Sequence, residues 1–285
     1  MGAIDFLLNI TGLLLWLSWR SIGFDPLVKR VPVTLVGTLK PAKPQRLRGW
    51  QLALALAALL FLRAVFYMLI GAPADWTPRL NLELIVLAFR SDLFASVLMF
   101  SLLSFLRAFV VFYFWLEILA IINRPTLEAG PVQKLVRLHL GRIARWPWPI
   151  QLILSLLMVI TLWIAFSPVL AHLGVVVRPH STLHLVEQGS LVALGLILSL
   201  KYILPALLLL HLVTSYVYLG NNPFWDYVAI TSTNMTAPLR HLPLRFAKLD
   251  FTPVIGVILI LLALEWLPNV IMSRLVAYRM SAWPL

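Results

Sequence analysis

Cysteine is absent from the 285 residues. Its absence excludes disulfides, thiol catalysis and thiolate metal sites, and it leaves the redox compartment unassigned. Charge is also scarce: Asp, Glu, Lys and Arg make up 12% of the chain, against about 25% in an ordinary soluble domain. Acids are the rarer sign, with 11 Asp and Glu against 23 Lys and Arg and a net charge of +12. There is no G-x-S-x-G step and no glycine-rich phosphate loop, so neither a serine hydrolase nor a nucleotide site has a sequence basis.

What replaces charge is apolar sequence, 61% of the chain. It falls in runs long enough to cross about 30 Å of hydrocarbon. The reading is an all-α, polytopic helical membrane protein with about six transmembrane helices. The spans are drawn at residues 3–20, 50–71, 92–122, 148–168, 188–219 and 253–276. The N-terminal stretch Met1-Gly2-Ala3-Ile4-Asp5 has no basic segment and no small-x-small cleavage step follows it, so the first apolar run is expected to stay in the membrane. Spans three and five are too long for one straight crossing and are expected to tilt or to begin at the interface.

Positive charge sits between spans. Arg20, Lys29, Arg30, Lys40, Lys43, Arg46 and Arg48 follow the first span, Arg124, Lys134, Arg137, Arg142 and Arg145 the third, and Arg240, Arg245 and Lys248 the fifth. These fifteen stand against five on the other side: Arg79, Arg90, Arg178, Arg274 and Arg279. The positive-inside rule then puts the three basic loops in the cytoplasm and both termini outside. It also makes anionic lipid of the inner leaflet, rather than nucleic acid, the expected partner of this charge.

The basic loops are patterned. Over Pro131–Arg145, helical projection puts Leu135, Val136, Leu140 and Ile143 on one face and Lys134, Arg137, Arg142 and Arg145 on the other, which predicts an amphipathic interfacial helix. After span five, Asn222 is suited to cap a helix and Pro223 to its first turn. Phe224, Trp225, Val228 and Met235 then share one face, with Asp226 and Thr233 opposite, and the helix is expected to end at Pro238. Residues 31–49, with Pro32, Pro41, Pro44, Gly37 and Gly49, read as an exposed basic linker.

Elements recur along the chain. Arg107 in span three is followed by Asn123-Arg124-Pro125, a basic segment, Trp148-Pro149 and span four with Trp163. Lys201 in span five is followed by Asn222-Pro223, a basic segment, Thr252-Pro253 and span six with Trp266. Asp25-Pro26 marks a fainter third copy. The expected organisation is an N-terminal hairpin with basic linker (1–75), a degenerate first repeat (76–170) and a clear second repeat (171–285).

The second copy carries a spaced motif. It reads Asn221-Asn222-Pro223-Phe224-Trp225-Asp226, then Thr233, Ala237-Pro238-Leu239-Arg240, Leu242-Pro243 and Leu249-Asp250-Phe251-Thr252-Pro253. This resembles the YggT/YlmG family of small bacterial and chloroplast membrane proteins, over about Leu200 to Pro268. The resemblance implies repeated hairpins, with Asn222, Pro223, Trp225, Asp226, Pro238, Arg240, Pro243, Asp250, Thr252 and Pro253 as motif positions. The first copy lacks the Trp-Asp pair and the Asp-Phe-Thr-Pro step. The resemblance also implies osmotic-stress tolerance, division and envelope organisation, or, in chloroplast relatives, cofactor or nucleoid organisation. It points to no enzymatic activity and no cofactor for this chain.

Ionisable residues inside spans are costly and pair or function. Arg63, Arg107 and Lys201 lie near mid-span with Glu265, and Glu117 nearer the cytoplasmic end. Glu265 is the acid deep enough to neutralise a central cation, so a Lys201–Glu265 pair is expected, either as a closed structural contact or as part of an ion or proton path. His180 and His184 have i,i+4 spacing, with His172 and Glu187 nearby, but read as loop histidines rather than a metal site. His211 is the one histidine inside a span, too few for a bis-histidine haem. Small-residue pairs Ala53/Ala57, Gly189/Ala193 and Gly195/Ser199 read as close helix packing. The sequence therefore predicts a non-enzymatic envelope protein with a scaffold, assembly or osmotic-stress role, in the bacterial inner (plasma) membrane. Its expected partners are a membrane or division/assembly protein, or further copies of itself. The alternative is a channel or transporter contributing to osmotic ion balance.

Overall fold

The computed structural model describes residues 2–21, 49–71, 76–126, 130–179, 181–218, 220, 222–241, 245–246 and 249–277. The linker expected at 31–49 lies outside them except for Gly49, which begins a helix. The elements in order are α1 (Gly2–Ser21), α2 (Gly49–Gly71), β1 (Arg79–Asn81), β2 (Val86–Ala88), α3 (Phe94–Ile122), α4 (Pro131–Leu140), α5 (Trp148–His172), α6 (Thr182–Leu198), α7 (Leu200–Tyr216), α8 (Pro223–Met235), β3 (Arg245–Phe246), β4 (Leu249–Asp250) and α9 (Thr252–Ala277). Among the described residues, six helical stretches are long and apolar enough to cross a membrane. The protein is thus an all-α, multi-pass integral membrane protein.

The fifth stretch runs from Thr182 to Tyr216 over 35 residues. Its helix breaks at Ser199 into α6 and α7. Pro205, inside α7, cannot donate to the carbonyl one turn back, which weakens the first turn after the break. Ser181 caps α6 by accepting the His184 amide at 3.2 Å, which starts this stretch six residues before the expected position.

The described residues within 1–80 and 88–109 form one compact unit, and those within 81–87 and 110–285 form another. In the first, α1 packs on α2. Gly12 lies under the Phe105 ring, and Trp16 meets Phe109 edge-on with ring centroids 5.1 Å apart. Ser101 Oγ donates to the Leu60 carbonyl at 2.9 Å, fastening α3 to α2. Of the pair Ala53/Ala57, Ala53 is half-buried and Ala57 is exposed within the chain.

In the second unit, α5 packs on α6 and α7 on α9. Gly189 lets α6 approach Ile160 of α5, and Gly256 lets α9 approach Leu208 of α7. Phe114, Val159, Ala193 and Leu196 form one core cluster. Leu119, Leu207 and Val228 form another, with Trp225 against it. Span four therefore makes its largest contact with the first half of span five, a partner outside the expected hairpin of spans three and four.

The amphipathic helix after span three differs from expectation. It ends at Leu140, because Gly141 takes φ +60°, a left-handed turn that glycine adopts without a Cβ clash. A 3-10 turn then covers Gly141–Arg145. Val136 is buried together with Gln133, whereas Leu135 and Ile143 are exposed. This helix is in contact with α8.

Candidate functional site

Among the described residues, three polar constellations sit within the apolar helices. The first, in the first unit, is built on Arg63. Asp5 and Asn9 are one turn apart on α1, and Arg63 and Tyr67 one turn apart on α2, so each pair shares a helix face. Arg63 Nη2 lies 2.6 Å from Asp5 Oδ1, and the Arg63 side chain has no exposed surface. The same guanidinium donates to Asn9 Oδ1 at 2.8 Å and to Ser104 Oγ at 2.8 Å. Tyr67 donates its hydroxyl to Asp5 Oδ1. The Tyr67 and Phe100 rings flank the guanidinium at 5.6 and 5.4 Å from their centroids. A planar fork of donors suits such a site and a lysine would not. Asp5 was not singled out from sequence. Its signal was the i,i+4 spacing to Asn9 on an otherwise apolar helix.

The second constellation lies at the α6–α7 break. Lys201 Nζ is 2.7 Å from Glu83 Oε2, and the Glu83 side chain is only 7% exposed. Lys201 also lies 5.1 Å from the Tyr202 ring centroid. Trp115 Nε1 donates to Ser199 Oγ at 3.0 Å across the same break. Glu83 stands in the β1–β2 turn with φ +71°, and Asn81 Oδ1 accepts its amide at 2.7 Å. Gly195 faces the Leu82 carbonyl so closely that a Cβ there would collide with it.

Two expectations are corrected here. Lys201 pairs with Glu83, not with Glu265, whose side chain is exposed on α9. Gly195 admits the backbone of a β-turn, not a neighbouring helix. The physical reason is the same for both. The loop after span two folds back onto the mid-span break and brings its own carboxylate, and hydropathy alone gives no sign of such a fold-back.

The third constellation joins the end of α3 to α4 and α8. Asn123 Nδ2 donates to Thr231 Oγ1 at 2.7 Å, and Asn234 Nδ2 donates to Asn123 Oδ1 at 3.0 Å. Gln133 Nε2 donates to the Asn123 carbonyl at 2.9 Å. Asn123, Gln133 and Thr231 are each at most 2% exposed. The asparagine after span three therefore ties α3, α4 and α8 together. Burial pushes the nearby Tyr227 hydroxyl above its ordinary range.

The motif positions distribute as follows. Asn222 caps α8 by accepting the Phe224 amide at 3.0 Å, with Pro223 in the first turn. Trp225 packs on the Leu119–Leu207–Val228 cluster. Asp226 is exposed and borders a groove of about 230 Å³ with His211, Thr214, Ser215 and Tyr218. The helix stops at Met235, and Pro238 and Arg240 lie in the following 3-10 turn, Ala237–His241. Pro243 lies outside the described residues. Asp250 stands opposite Arg245 in the β3–β4 ladder. Thr252 and Pro253 open α9. Glu117 is buried and accepts from Ser155 Oγ. Of the histidines, His184 lies beside Gln188 at 3.3 Å, and His180 lies outside the described residues. The asparagines, prolines and glycines of this region set turns and caps, while Asp226 faces outward.

No family model, no curated protein and no solved structure matches the chain. The class that fold and polar clusters define is a multi-pass helical membrane protein.

Proposed function

We propose that this chain is a non-enzymatic scaffold or assembly protein of the cell envelope, related to the YggT/YlmG-like proteins. We place it in the bacterial inner membrane with both termini outside and a role in osmotic stress. The observation that carries the reading is how its intramembrane cations are held. Arg63 is enclosed by Asp5, Asn9 and Ser104, and Lys201 is closed onto Glu83 at 2.7 Å. Fixed, mutually neutralised pairs hold helices together and leave no mobile charge for conduction. The 1–75, 76–170 and 171–285 organisation belongs to the same proposal, as does binding of anionic inner-leaflet lipid by the basic residues around α4. Its protein partners are a membrane or division/assembly protein, or further copies of itself.

Ion flux from vesicles containing the purified protein tests the reading. A scaffold leaves them tight. A flux abolished by Lys201→Met would replace it with the channel or transporter alternative, which the 35% exposure of the Lys201 side chain favours. Cysteines placed singly at Lys43, Gly130 and Ala74 test orientation. An impermeant thiol reagent should label only the Ala74 position from outside intact cells, and external labelling at Lys43 or Gly130 sinks the topology.

A further inference from the structure

Glu265 lies midway along the 26-residue α9, about 20 Å along the helix axis from Thr252 at 1.5 Å per residue. That depth is inside the hydrocarbon of a typical bilayer. The helix packs on α7 through its other side, where Pro253 and Gly256 are buried. Glu265 instead shares the exposed side with Ile258, Leu262 and Trp266, which are 50, 60 and 67% exposed. Asn269, one turn further, is exposed as well. Its amide is used within the helix, donating to the Glu265 carbonyl at 3.3 Å, and so does not reach the carboxylate. Among the described residues Glu265 forms no ion pair.

A carboxylate facing lipid at this depth is costly, and such groups pair with cations or line polar contacts. The stretch is apolar, carries one acid and has unused apolar area around it, which is the pattern of a helix-docking face anchored by a polar contact. A second copy is a poor occupant. Its Arg63 and Lys201 are already engaged, and its Arg107 is not free. Two copies related by an axis along the membrane normal would also set Glu265 against Glu265.

We infer that the outward face of α9 around Leu262, Glu265 and Trp266 docks a transmembrane helix of another protein, and that this helix carries a Lys or Arg at the depth of Glu265. The inference rests on the scaffold reading and gives that partner its chemistry.

The test uses the full-length protein in phosphatidylcholine vesicles, with a synthetic Leu/Ala transmembrane peptide bearing one Lys at the depth of Glu265. Energy transfer between labelled protein and labelled peptide reports association. The Lys peptide should bind roughly tenfold more tightly than its Lys→Leu counterpart, in the range of polar contacts between membrane helices. Glu265→Gln should remove that preference and Glu265→Asp should keep it. Equal binding of the two peptides to the unaltered protein overturns the inference, whatever the variants do. Self-association of the protein without peptide that Glu265→Gln abolishes also overturns it, giving the face to a second copy. Tight vesicles with no peptide preference sink the docking and leave the scaffold reading standing. An ion flux that Glu265→Gln removes sinks both.

Discussion

Glu83, in a β-turn between two spans, closes at 2.7 Å onto Lys201, in the middle of a 35-residue apolar stretch. The contact neutralises a cation that no residue of its own helix neutralises. It also fixes the turn at the point where α6 gives way to α7.

Breaking this pair from one side should cost more than removing it whole. Lys201→Met leaves a carboxylate that is 7% exposed without its cation, and Glu83→Gln leaves the ammonium without its acid. Each single variant should lose stability toward the low end of about 3–5 kcal/mol, and the double variant less than the sum. Unfolding in mixed detergent micelles measures this cycle. Strict additivity would show that the two residues are not coupled.

Arg63→Lys should be nearly as damaging as Arg63→Met. An ammonium keeps the charge but cannot present a planar fork to Asp5, Asn9 and Ser104 together. Folded yield after purification reports it, and a lysine variant as stable as the original would refute the geometric argument.

Gly195→Val should disrupt the α6–α7 region, since its Cβ would run into the Leu82 carbonyl. Gly141→Ala should instead cost about 1–3 kcal/mol, because nothing lies near Gly141 and only its positive φ is at stake. Comparing the two by detergent unfolding separates close approach from backbone strain. Equal effects would show that the turn does not rest on α6.

Tyr227 gives a pH dependence. Its folded value is raised by burial, while the unfolded hydroxyl ionises near pH 10. The folded protein therefore holds this proton more tightly, so the contribution is fully present below about pH 10 and is lost as pH rises through the folded value. Tyrosinate absorbance during alkaline titration should show Tyr227 ionising late, together with unfolding, and Tyr227→Phe should remove that step. Early, reversible ionisation without unfolding would contradict the burial.

The spans were legible because hydropathy reports membrane crossing directly. All six are present, most with ends within a few residues of expectation. The Asn222 cap was legible too, since capping is a local rule. The partners of charged residues were not. Asp5 lies 58 residues from Arg63, and Glu83 is further still from Lys201, so no local spacing joins either pair. The sequence did show that charges inside spans need partners, and it showed them as mid-span residues. Equal depth inside the spans points to Glu265, whereas a loop returning to the break supplies the acid. Gln133 is illegible for a related reason: a buried polar side chain leaves no mark on an apolar helix face, yet it anchors α4 through the Asn123 carbonyl.

The β-turn at Leu82 and Glu83 also sets an order of events during synthesis. Tyr202, beside Lys201, is 119 residues downstream of Glu83. When the turn leaves the ribosome, its helical seat has not been made. The carboxylate must therefore wait, hydrated, until α6 and α7 have entered the bilayer, so the turn closes late in assembly. A nascent chain truncated before Lys201 should expose residues 81–87 to protease, and one extended past Tyr216 should protect them.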